Sequence, residues 1–121
     1  MSKIKVAELT GAALDWAVAK AEGYVEDSDS WLHEATVEDV RESDSWHPSV
    51  NWAQGGPIIE RIRGFELKVW LESKFDSKCE AHIHNYGGNW IAFGPTPLIA
   101  AMRCYVDAKL GDEIDVKESV E

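Results

Sequence analysis

The sequence predicts an α+β fold: an antiparallel β-meander of three or more strands, covered on one face by an N-terminal and a C-terminal helix. Three observations carry this. Phe65, Leu67, Val69 and Leu71 alternate with Glu66, Lys68, Trp70 and Glu72, and Cys79, Ala81 and Ile83 alternate with Glu80, His82 and His84; period two marks strands with one face to bury. Leu14, Ala17, Val18 and Ala21 recur at helical spacing between Thr10, placed to cap, and Gly23, placed to stop. Finally, Gly94-Pro95-Thr96-Pro97 sets a strand breaker, a cap and a first-turn proline in succession before an apolar run that ends at Gly111.

In chain order, residues 3–6 alternate (Ile4 and Val6 against Lys3 and Lys5) and read as a short strand or extended arm. The first helix follows, rich in alanine and able to approach a neighbour closely, with Trp16 beside its apolar stripe. Residues 24–57 lack periodicity and read as a long acidic loop region. Nine of the chain's 22 acids lie between Glu22 and Asp44, and Asp27-Ser28-Asp29-Ser30-Trp31 recurs as Glu42-Ser43-Asp44-Ser45-Trp46. These are two Asx- or Ser-type turns or an acidic flap carrying two exposed tryptophans; residues 36–40 have room for one helical turn. Gly55-Gly56-Pro57 reads as a turn. Three strands with short connections then form the meander, with Gly87-Gly88-Asn89 as the hairpin turn. The C-terminal helix covers one face, and the tail 112–121 frays.

Composition bounds the function. A chain of 121 residues is one domain. A formal charge of -10 excludes gripping a nucleic-acid backbone by counterion release; it suits a basic partner or mimicry of a polyanion. No apolar run reaches the roughly 20 residues of a membrane span, and Lys3 and Lys5 lack the apolar segment of a signal peptide behind them. Cys79 and Cys104 make no disulfide framework and read as buried, unpaired thiols. Leu14, Val18, Leu67, Val69, Ile83, Leu98, Met102 and Val106 are expected in the core.

Candidate chemistry is sparse. His82 and His84 share a strand face with Glu80, but no third nitrogen or sulfur ligand is placed by spacing, so no metal is expected. No nucleophile motif is present, no catalytic residue is expected, and no cofactor is implied. The start of the C-terminal helix offers free amides to an anion, and Arg103 lies within roughly 20° of Thr96 around the helix at 100° per residue. The bland alternative is an exposed Arg103–Asp107 pair at i,i+4. Arg61 and Arg63, on one face of a strand-like segment, carry the same ambiguity. The glycines after Trp52 permit close backbone approach, and Trp52 offers a flat apolar wall. Trp52, Gln54, Gly55, Gly56, Thr96 and Arg103 are therefore expected to line one pocket, with a second subunit able to complete it. On this reading Arg103→Ala removes binding and leaves the melting temperature nearly unchanged.

Residues 7–20, 51–60 and 94–106, in that order and wording, resemble the NinX family of small phage proteins. The acidic segment around 26–50 and the strands of 61–90 match no motif of it. The resemblance implies a phage origin, the cytoplasm of an infected bacterium, an accessory role, and an α/β sandwich ending in a Pro-Leu-Ala-containing helix. It implies no catalytic residues. Three functions from different classes are weighed. One is a binding protein that sequesters a small anionic, nucleotide-type signal of host immunity; the second is an acidic inhibitor or DNA mimic directed at a basic host protein; the third is an enzyme, metal-dependent through His82 and His84, for which no catalytic constellation is in view.

Overall fold

The computed structural model describes residues 2–22, 40, 46–69, 79–85 and 87–116. The expectations placed on residues 27–31, 36–39 and 70–72, and on Gly23 as a helix stop, lie outside these residues. The elements are β1 (Ser2–Lys5), a 3-10 turn (Val6–Glu8), α1 (Gly11–Ala21), α2 (Trp52–Glu60), β2 (Phe65–Val69), β3 (Cys79–Asn85), β4 (Gly88–Gly94), α3 (Pro97–Leu110) and β5 (Glu113–Val116).

The meander is present as β2-β3-β4, antiparallel throughout, with Leu67 opposite Ala81 and Ala81 opposite Ala92. This register puts Cys79, Ala81, Ile83, Trp90 and Ala92 on one face and Glu80, His82, Ile91 and Phe93 on the other. α3 lies across the first face, mainly over β3 and β4, and α1 packs on α3. The α+β reading therefore holds, with α1 reaching the core through the longer helix.

α3 begins as its sequence requires. Thr96 is extended, its hydroxyl accepts from Ile99 N–H at 3.2 Å, and Pro97 opens the first turn. It ends at Gly111, whose φ of +98° suits a residue without Cβ. Gly94 also needs to be glycine, because an ideal Cβ there would sit 2.7 Å from Ala100 N. That close approach lets β4 turn back under α3.

Three expectations are corrected. Residues 52–57 belong to a helix rather than to a loop. Asn51 caps it, its side chain accepting from Ala53 N–H at 2.9 Å, and Ile58 and Gly55 are buried beneath it. Pro57 lies inside the helix, where it removes one ladder donor on an exposed face, and that single loss is tolerated. The tail does not fray from residue 112, because Glu113–Val116 pairs antiparallel with β1 and buries Ile114 against the core. Arg61 and Arg63 do not lie on a strand. Arg61 is the C-cap of α2, where it pairs with Glu22 and bonds Pro57 O, and both residues precede β2.

The core gathers Leu14, Val18, Ile83, Met102 and Val106, all fully buried, with Leu67 partly buried against them. Val69 departs from the expectation, being 47% exposed at the end of the edge strand, where α3 gives little cover. Leu98 is buried outside the main cluster, against Gly55 of α2. Trp16 is a core residue rather than a flanking one. Cys79 and Cys104 are buried and neither is in a disulfide.

Candidate functional site

The six residues expected in one pocket are distributed over three environments. Trp52 and Thr96 share a small cleft of about 210 Å³ with Ser49, Val50, Pro97 and Leu98. Trp52 forms an exposed wall there, and Gly56 lies under its ring. Gln54 and Gly55 serve the packing behind that cleft. Gln54 Oε1 accepts from His47 N–H, and an ideal Cβ on Gly55 would lie 2.6 Å from Pro48 O. Arg103 lines a different and larger cleft.

The reason for the separation is distance along the helix. Seven residues advance about 10 Å, so a shared helical face does not make Thr96 and Arg103 neighbours at one end. Two backbone carbonyls hold Arg103 where it is. Its Nε donates to Leu9 O and its Nη1 to Phe93 O, each at 2.8 Å. Only 9% of the residue is exposed, so the expected exposed Arg103–Asp107 pair is also set aside. Burial lowers the guanidinium pKa, but arginine keeps its charge in proteins.

The Arg103 cleft measures about 580 Å³. α3 supplies the floor, Arg103 and Asp107. β4 supplies one wall, where Ile91 and Phe93 stand 52% and 46% exposed. The strand-to-turn segment Lys5, Val6 and Ala7 supplies another, with Asp112 beside it; Val6 N–H donates to Asp112 O at 2.8 Å. Burial raises the Asp107 pKa, and the charge of Asp112 raises it further. The two carboxylates thus form an acidic pole, and Arg103 a basic one.

A second cluster escaped the sequence reading. Asp15, buried in α1, accepts from Ser49 N–H at 2.8 Å, and His47 Nδ1 stands 3.5 Å from its other oxygen. Trp46 Nε1 donates to Asp15 O at 2.9 Å, so Trp46 is half-buried and anchored rather than exposed on a flap. Burial raises the Asp15 pKa, and Ser49 and His47 offset that in part. The Ser49 hydroxyl makes no hydrogen bond of good geometry, although it lies near enough to favour the ionised carboxylate. This cluster ties residues 46–49 to α1. Only an acid at position 15, amid otherwise apolar neighbours, signals it in the sequence.

On the outer sheet face, His82 pairs with Glu80, and His84 Nδ1 lies 2.8 Å from Asn89 Oδ1. The two rings stack at 6.0 Å. Among the described residues no group of three or more His, Cys, Asp or Glu is arranged to hold a metal.

The family model described as Bacteriophage P22, NinX matches residues 5–109. The chain belongs to the NinX family. The match runs through 26–50 and 61–90 as well, where no motif was legible. No curated protein matches the chain. Among the described residues of this NinX-family chain, no helix is long and apolar enough to cross a membrane.

Proposed function

We propose that this NinX-family chain is a phage accessory binding protein whose ligand is small and anionic, and that it acts in counter-defence by sequestering a nucleotide-type signal of the host. The Arg103 cleft is the binding site. One observation carries this reading: a buried guanidinium opens on a cleft of about 580 Å³ with no carboxylate bonded to it among the described residues. Two of the five donors of a guanidinium go to the carbonyls of Leu9 and Phe93. The others have no partner among the described residues. They are not buried orphans but belong to a side chain that lines the open cleft, where a bound anion would pair them. The volume falls within the roughly 300–1,000 Å³ typical of small-ligand sites, and the exposed Phe93 offers a ring on which a base can stack.

Trp52 and Thr96 then belong to a separate surface. A second subunit seated between the two clefts is the arrangement that would restore the shared pocket. The charge of -10 favours the second reading, an acidic inhibitor or DNA mimic of a basic host protein.

A thermal-shift series with nucleotides tests the first reading. A ligand at 100 times its dissociation constant adds about 2.7 kcal/mol of stability, and Lys5→Gln, at an exposed position, should weaken that shift without lowering the melting temperature of the free protein. If no nucleotide stabilises the protein at millimolar concentration, the acidic-surface reading takes its place.

A further inference from the structure

We infer that β4 is a docking edge for a second copy of this chain, and that two chains pair β4 against β4, antiparallel about a two-fold axis, joining their three-stranded sheets into one. The hydrogen-bond parity of the sheet leaves that edge open. His84 N–H donates to Gly64 O at 2.9 Å, so in β3 the even-numbered residues turn their backbone groups to β2 and the odd-numbered ones turn theirs to β4. Cys79, Ala81 and Ile83 stand opposite Gly94, Ala92 and Trp90. Those three residues of β4 spend their backbone groups on β3, and Asn89, Ile91 and Phe93 point theirs the other way. Among the described residues no strand lies there. Phe93 O accepts from Arg103, and a carbonyl oxygen has a second lone pair with which to accept from a strand.

The composition of β4 sets it apart from the other described edges. An exposed edge is a template for another chain, and proteins blunt such edges with charged residues or proline. β1 has Lys3 and Lys5, β2 has Glu66 and Lys68, and β5 has Glu113 and Asp115. β4 reads Gly-Asn-Trp-Ile-Ala-Phe-Gly, with no charge and no proline, and Ile91 and Phe93 stand 52% and 46% exposed on its outer face. Charge and symmetry make the occupant a second copy. Two molecules of -10 repel, and β4 is the described strand on which they meet without setting like charges together; the cleft beside it is balanced, Lys5 and Arg103 against Asp107 and Asp112. A basic partner would be drawn to the carboxylates elsewhere on the chain. Antiparallel pairing about a two-fold sets Ile91 and Phe93 of one copy beside those of the other, and aromatic and β-branched neighbours of this kind stabilise paired strands. The charges on β2 disfavour the head-to-tail alternative, β4 on β2, which would run on into a fibre. One strand edge buries less than the roughly 1,200–2,000 Å² of a stable interface, so the dimer is weak and forms as concentration rises.

Pairing uses the backbone edge of β4 rather than Arg103, and so stands apart from the nucleotide reading. Ile91 and Phe93 also line the Arg103 cleft, so the full chain is tested without ligand. Sedimentation velocity from micromolar to millimolar concentration, in salt that screens the repulsion between copies, should show the chain passing from monomer to dimer. Amide hydrogen exchange at Ile91 and Phe93 should slow as the dimer forms. Ile91→Pro removes an N–H that the β3–β4 ladder does not use, and Phe93→Lys places a charge on the edge. Both should stay monomeric across the range, with exchange in β3 as slow as in the unaltered protein to show that the sheet is intact. If Ile91→Pro does not fold, Phe93→Lys decides alone. A chain that stays monomeric at millimolar concentration overturns the inference, whatever other strand the edge accepts. A dimer that survives both substitutions, or a species that grows past the dimer, overturns it equally. Each of these failures leaves the anion site standing.

Discussion

At the residue scale, Arg103 shows how a correct suspicion can carry a wrong consequence. An arginine in an acidic chain invites a functional reading, but its side chain also closes the protein. It supplies donors to Leu9 O and Phe93 O, 94 and 10 residues away in sequence. Arg103→Ala should therefore destabilise the fold, since a buried carbonyl left without a donor costs about 1–3 kcal/mol; a lowered urea midpoint checks this, against the sequence-based expectation of no change. The glycines give a sharper test. A methyl at Gly55 would collide with Pro48 O and Leu98, and one at Gly94 with Ala100 N, so alanine at either site should cost about 1–3 kcal/mol. Alanine at Gly111, which has open space but φ +98°, should cost through backbone strain alone. Asp15 adds a pH dependence with a definite sign. Its folded pKa lies above the unfolded value because burial disfavours the charge, so the native state binds the extra proton and stability falls as pH rises from about 3.8 through the folded value. Unfolding experiments between pH 4 and 7 should show Asp15→Asn gaining on the unaltered protein as pH increases. A constant difference across that range would mean that the carboxyl is not raised.

At the scale of elements, α3 is the part most legible in the sequence. Thr96, Pro97 and Gly111 fix its ends by local backbone chemistry alone, and the strands of the meander announce themselves by alternation. α2 and β5 were not legible, and for one reason: each is stabilised by partners distant in the chain. Gly-Gly-Pro has the local signature of a turn, and only packing of Ile58 and Gly55 makes a helix of it. β5 buries Ile114 and needs β1 to exist. The same logic ranks substitutions. Met102→Ala in α3 removes a fully buried side chain and should cost about 2–5 kcal/mol, as should Leu98→Ala, which opens the contact between α3 and Gly55. Val69→Ala, at the exposed end of β2, should cost no more than about 0.5 kcal/mol. Denaturant midpoints of the three variants check the order. A Val69 variant as damaged as the Met102 variant would mean that α3 covers the whole sheet.

At the scale of the molecule, the acidic charge and the binding site stand in tension. A chain of -10 holds anions only where cations are concentrated and water is reduced. The Arg103 cleft brings Lys5 and Arg103 together, though with Asp107 and Asp112 beside them, while among the described residues the Trp52 cleft has no cationic side chain in its lining. Sequence reasoning named residues of both clefts and merged them, because helical angle relates Thr96 to Arg103 but says nothing of the distance along the axis. Lys5, Ile91, Phe93, Asp107 and Asp112 were not named as site residues. They come together only when β1, β4 and the end of α3 meet, and no local pattern marks that junction. The most direct test of the central claim is amide chemical-shift mapping of the full chain titrated with adenosine monophosphate. The largest changes are expected at residues 5–7, 91–93, 103 and 107. Changes confined to residues 49–52 and 96–98, or none at all, would contradict it.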